Sequence, residues 1–281
     1  MKKVSLYVRT CPLAMGMLWF IRSFYVWREF NNFWLNSSLF FCVFLFSISL
    51  IPVLGPFLFL FLQPFYAIVF VISYARITSP KPLSISIGLF INYFRSAGEK
   101  MNYLGFIHLI VSSTWAWLIF YAISKTVGNN TDGGVGLSQI LCLFAEIFLF
   151  LFVSYFYQQI LVFTTCLMTN VSISSSYGHL FKAIFFASYA FRKNIKPFAL
   201  QATLSIMLIL IPVPFLMLLS TTVQASLRLL QLLYLIYCAY FFFPVYFGSL
   251  YEAYVTVFYH QKTHKTDSSG DTDEVDTHQQ S

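Results

Sequence analysis

Three side chains inside the apolar stretches of this chain could do chemistry: Glu146, His108 and Glu252. Glu146 lies in the run 140–163, about 9 Å below the start of that run at ~1.5 Å per residue. A charge at such a depth costs at least ~2.5 kcal/mol on insertion scales, so the carboxyl is neutral, reached by water or functional. A proton or cation site is the chemistry it would support. A neutral carboxyl beside the Ser138-Gln139 turn is the structural reading, and that reading is favoured. His108 and Glu252 fall at similar depth near one end of the runs 104–124 and 229–251, where they would pair if those helices touch. Water at the end of its run serves His108 equally. Gln158, Gln159 and Gln201 are residues that more often bond helix to helix than line a path.

Other reactive side chains lack the spacing that chemistry needs. The five histidines show no HExxH arrangement, and the five cysteines are far apart with no CxxC pair. No nucleotide-binding loop, nucleophile elbow or paired-carboxylate motif occurs. The loops are too short for a catalytic domain, so enzymatic activity, a cofactor and a metal are not expected.

The elements that must position these residues follow from composition. Of 281 residues, 58% are hydrophobic and 10% charged, too few charges to cover a water-soluble globule. Lipid tolerates such a chain, because each helix satisfies its own backbone hydrogen bonds. Apolar runs of about 20 residues predict six spans, at residues 34–53, 57–77, 104–124, 140–163, 198–219 and 229–251. The stretch 214–228 reads as an apolar segment on the external surface.

The net charge of +7 would suggest nucleic acid in a soluble protein. Here the basic residues flank the spans, and no nucleic-acid partner is expected. All of the 17 Lys and Arg residues except Lys125 and Arg228 fall on one side of the predicted spans, which places both termini in the cytoplasm. Lys2 and Lys3 precede a short apolar stretch that runs into Arg22 and Arg28, so a cleaved signal peptide is not expected. Trp115, Trp117 and Tyr121 read as an aromatic belt at the external interface.

The predicted fold is all-α: a polytopic membrane protein whose six transmembrane helices form three hairpins, each preceded by an amphipathic interfacial helix. One transmembrane domain covers residues 1–260, with pseudo-repeats at about 17–78, 84–169 and 178–258; residues 261–281 form a disordered cytoplasmic tail. The amphipathic segments are 18–33, 84–95 and 179–192. In the last, Leu180, Phe181, Ile184, Phe185, Ser188 and Phe191 recur at helical spacing. Units one and three share Ile51-Pro52-Val53 with Ile211-Pro212-Val213, and Pro64-Phe65-Tyr66 with Pro244-Val245-Tyr246. Tyr74 and Tyr254 then follow at matching distance. Each unit begins and ends on one side, so a symmetry axis would run along the membrane normal.

Three marks carry a resemblance: Leu18-Trp19-Phe20-Ile21, Ile51-Pro52-Val53-Leu54-Gly55-Pro56, and the segment from Leu180-Phe181 to Arg192-Lys193-Asn194. With this layout, residues 17–258 resemble a family of proteobacterial six-helix inner-membrane proteins without assigned function. That family is distantly similar to the membrane domain found beside glycerophosphodiester phosphodiesterases. The resemblance implies a bacterial inner-membrane location and no catalytic residues. The expectation is a non-catalytic scaffold or assembly partner whose partners are the lipid bilayer and other inner-membrane proteins. The alternative is a small-solute transporter or accessory permease subunit.

Overall fold

The computed structural model describes residues 5–49, 51, 54–79, 99–128, 137–169, 180–222 and 227–261. In chain order the elements are β1 (Ser5–Val8), α1 (Ala14–Glu29), α2 (Asn31–Ser49), α3 (Leu54–Ile77), α4 (Glu99–Gly128) and α5 (Leu137–Thr169). They continue with α6 (Leu180–Lys193), α7 (Ile195–Leu210), α8 (Pro212–Thr222), α9 (Leu227–Tyr237), a π-helical turn (Cys238–Phe242), α10 (Phe243–Val257) and β2 (Phe258–Gln261). The amphipathic segment 84–95, the Pro52 mark and residues 262–281 of the tail lie outside the described residues.

Among the described residues, five helical stretches are long and apolar enough to cross a membrane: Leu60–Ile77, Met101–Ala122, Ala145–Met168, Ile195–Leu216 and Leu232–Val257. The first expected span is helical as α2 up to Ser49 but is not one of the five. The side chains of Leu39, Phe40, Leu45 and Phe46 within it lie outside the described residues, so its described stretches are shorter than a span. The stretch 214–228 also departs from expectation. The helix bends at Ile211 without stopping, and Ile195–Leu216 carries the span on through Pro212 and Pro214. Pro212 opens α8, a position where a helix has no use for the missing N–H. The Ile211 N–H still bonds the Met207 carbonyl at 3.1 Å.

Proline leaves a backbone carbonyl unbonded one turn back, and in hydrocarbon no water can serve it. Neighbouring side chains do so here. Pro212 vacates the Leu208 carbonyl, and the Tyr237 hydroxyl donates to it at 2.6 Å. Pro244 vacates the Tyr240 carbonyl, which accepts from the Trp27 indole at 2.9 Å. The π-helical turn diverts the Phe243 N–H to Cys238, and the Ala239 carbonyl so released accepts from Ser38 at 2.7 Å. These bonds tie α9 to α7 and fasten α1 and α2 to the turn before α10.

The helices α3, α5 and α10 touch one another at the centre. Around them, α2 lies against α3 and the π-helical turn, α4 against α3 and α5, and α7 against α5 and the same turn. Helix α1 is sunk between α7 and α10, with Trp19 and Ser23 fully buried. Gly16 lets it approach α7 so closely that a Cβ would strike the Pro197 carbonyl.

Helix α6 packs on α5 through Ala183, Ala187 and Ala190, while Phe181 and Phe185 of the expected apolar face point outward, 81% and 66% exposed. Small side chains permit close approach of two helices, and large apolar ones lose nothing by facing lipid. Beside the helices, the described residues include one strand pair. β1 and β2 run antiparallel from Val8↔Phe258 to Ser5↔Gln261, so Gln261 belongs to the ribbon rather than opening the tail. Asn194, at the corner between α6 and α7, holds the segment after β1. Its Oδ1 accepts from the Cys11 N–H at 2.7 Å, and its Nδ2 donates to the Arg9 carbonyl at 2.9 Å.

Candidate functional site

The polar side chains within the bundle gather into separate groups. The first is built on His108, fully buried where α4 meets α3 and α5. Its Nδ1 lies 3.0 Å from the Tyr157 hydroxyl on α5, and its Nε2 bonds Gln63 Oε1 on α3. Such partners suit a neutral ring that donates from Nε2 and accepts at Nδ1. The ring also stacks on Tyr157, with centroids 5.5 Å apart and planes within 7°. Ser112, one turn along α4, brings its hydroxyl within 3.2 Å of Nε2. Each polar edge of the imidazole is thus occupied by protein, and the group works as a three-helix joint.

The second group surrounds Glu252 on α10. Tyr74 of α3 donates to its Oε1 at 3.1 Å, and Arg22 of α1 approaches its Oε2 at 3.7 Å. Thr256, one turn further, accepts from the Trp19 indole at 3.1 Å and donates to the Glu252 carbonyl at 2.7 Å. Ser23 donates to the Val245 carbonyl at 2.7 Å. Half-exposed Arg22 keeps one face in solvent, which moderates the attraction between the two charges. The expected pairing of His108 with Glu252 does not occur. α4 occupies the groove between α3 and α5, so its polar face meets Gln63 and Tyr157, while Glu252 turns toward α1 and α3.

Glu146 is half-buried on α5, about 16 Å along the helix axis from Tyr157. The structure brings neither His108 nor Glu252 to it. Trp115 of the expected aromatic belt donates to Ser154 on α5 at 2.7 Å, whereas Trp117 is exposed and stacks on Tyr121 at 5.8 Å.

A third group was visible in sequence only as scattered glutamines. Gln201 on α7 donates to the Ser249 hydroxyl on α10 at 2.8 Å, and Ser249 donates to the Tyr246 carbonyl at 2.8 Å. Gln159 on α5 is fully buried in the same part of the bundle. Beside it, Tyr66, Tyr155 and Tyr246 come from α3, α5 and α10, with the Tyr155 and Tyr246 rings 5.6 Å apart. Their shared position within the three central helices was the signal that the repeat pattern carried for Tyr66 and Tyr246 but not for Tyr155.

Outside the bundle, burial pushes the Cys11 thiol up despite nearby Arg9, which makes it a poor nucleophile. No family model, curated protein or solved structure matches the chain.

Proposed function

We propose that the protein is a non-catalytic scaffold or assembly partner in a bacterial inner membrane, with six spans in three hairpins and both termini cytoplasmic. This reading counts α2 as the first span and treats α3, α5 and α10 as the returning spans of three units. Contacts support it. The returning spans meet at the centre, and each outgoing span lies between its own partner and the returning span of the preceding unit. The short helices follow the same rule, α1 against α10 and α6 against α5. Tyr66, Tyr155 and Tyr246 take equivalent places, and Tyr74, Phe163 and Tyr254 follow eight residues later in each unit. This cyclic relation is what an axis along the membrane normal would produce. The exposed rings of Phe181, Phe185 and Tyr189, with Lys182, Arg192 and Lys193, suit a helix at the lipid–water boundary.

The observation that carries the scaffold reading is where the polar side chains go. His108, Gln63, Tyr157, Glu252, Tyr74 and Ser249 bond one helix to another. Purification from native membranes followed by mass spectrometry should recover a partner protein in fixed ratio. Deleting the chain should leave that partner unassembled. Recovery of the chain alone, with loss of solute uptake on deletion, would establish the alternative of a small-solute transporter or accessory permease subunit. That alternative draws on the spare hydrogen-bonding capacity of buried Gln159 and Gln201.

A further inference from the structure

Gln159 is fully buried, and neither atom of its amide has a hydrogen-bond partner. Gln201, also fully buried, spends its N–H on Ser249 and leaves Oε1 unbonded. The two share a level in the bundle. Phe163 of α5 meets Phe198 of α7 at 5.7 Å, and two turns away the Tyr155 hydroxyl lies beside that of Ser205. Gln159 on α5 and Gln201 on α7 fall midway between those contacts. Helix α10 closes the third side. Its Tyr246 packs on Tyr155 at 5.6 Å and its Tyr254 on Phe163 at 5.8 Å, which brackets Ser249 at the same level.

Three amide atoms in one enclosed layer are expensive. An unpaired amide costs roughly 2–7 kcal/mol to transfer out of water, and lipid offers no partner. Met or Leu would fill such positions without that cost. The residues at this level, Gln159, Gln201, Ala202, Ser249 and Leu250, carry no charge, so an ion would find nothing to neutralise it. Ring pairs about 12 Å apart along α5 cap the layer, and the two glutamine side chains occupy much of the space between. A guest must therefore be uncharged, small, and able both to accept and to donate.

We propose that Gln159, Gln201 and Ser249 form an internal hydration site in which water bridges the two amides. The water accepts from Gln159 Nε2 and donates to Gln201 Oε1, while Ser249 holds Gln201 in place. Two to four polar partners are what a buried water requires. The site joins α5, α7 and α10 through a molecule that can be exchanged, unlike the direct bonds around His108.

The test is water-edited solid-state NMR of the uniformly 15N-labelled full chain in lipid bilayers. The Gln159 side-chain resonance is assigned from its loss in Gln159→Met. Magnetisation from water should reach this amide well before it reaches the backbone amide of Phe70, which is buried on α3 away from the site. Gln201→Met should at least halve the transfer. If the variant at position 159 does not fold, added uniform 13C labelling assigns the side-chain amide through bonds from the Gln159 backbone in the unsubstituted chain. Transfer no faster than at Phe70, or transfer unchanged in Gln201→Met, overturns the proposal in favour of a direct bond between the two amides or of unlinked side chains.

Discussion

Helix α4 and the span that ends in α10 are both apolar and both long enough to cross a membrane, yet they are held by different means. Half of Leu232–Val257 is buried inside the protein, against 17% of Met101–Ala122. α10 is surrounded by α1, α3 and α5, and the missing side chain of Gly248 makes room for Ser23 and the Tyr74 ring. α4 touches α3 and α5 along one side only, and presents Phe106, Ile110, Trp117 and Phe120 outward. In lipid an apolar side chain gains little by moving from hydrocarbon to protein. Area therefore does not decide where α4 sits; polar bonds at His108 and Trp115 do. The centre adds close fit over much of its surface to its hydrogen bonds, whereas the edge depends mainly on hydrogen bonds.

The largest expected effect breaks the fit at the centre. A Cβ on Gly248 would collide with the Ser23 hydroxyl and come within 2.6 Å of the Tyr74 ring, and both belong to helices packed on α10. Gly248→Val should cost 3 kcal/mol or more, above the ~1–3 kcal/mol usual for overpacking, because α1 and α3 must both retreat. Expression as a monodisperse species in detergent checks it. Normal yield and melting temperature would show that α10 is looser than its burial implies.

Removing the central bond of the edge should come next. His108→Ala leaves Tyr157 and Gln63 facing each other across a gap, at about 1–3 kcal/mol for buried groups left unpaired. The loss should be local. Hydrogen exchange should rise along α4 while α10 stays protected, whereas Gly248→Val should raise both. Equal rises in both helices for His108→Ala would erase the distinction between fit and bonding.

Bonds to vacated carbonyls should matter less individually. Trp27→Phe keeps a ring against Phe241 but leaves the Tyr240 carbonyl without its donor. Interhelical bonds in membranes average about 0.6 kcal/mol, so a loss near 1 kcal/mol is expected from thermal denaturation. A neutral result would mean that the Tyr240 carbonyl finds another donor in the π-helical turn.

Much of this contrast could not be read from the chain. Five long apolar helices were legible because lipid demands contiguous apolar runs, and Pro64, Pro212 and Pro244 marked real features of three helices. Facing was not legible. Where both sides of a helix are apolar, periodicity cannot say which one meets protein: Phe181 and Phe185 mark the apolar face of α6, and the small Ala183 and Ala187 beside it are the residues that become buried. Partners of His108 and Glu252 depend on helix rotation, which depth alone leaves open. The β1–β2 ribbon is four residues a side, too short to show an alternating pattern.

The smallest effect is expected at Glu146, which lies apart from the groups around His108, Glu252 and Gln201. It lies on the half of α5 before Tyr155, among exposed Ala145, Phe148 and Leu149, and remains half-buried itself. Gln keeps the length and one acceptor of Glu and adds a donor, so a neutral structural group should tolerate Glu146→Gln within about 0.5 kcal/mol. A proton or cation site would respond differently, because Gln cannot ionise. The useful measurement is therefore paired: melting temperature of the purified variant, and growth or solute uptake in cells holding it at normal level. Unchanged values in both keep Glu146 among the structural residues. Lost uptake with an unchanged melting temperature would place function on α5, away from every joint described here, and would raise the transporter reading above the scaffold.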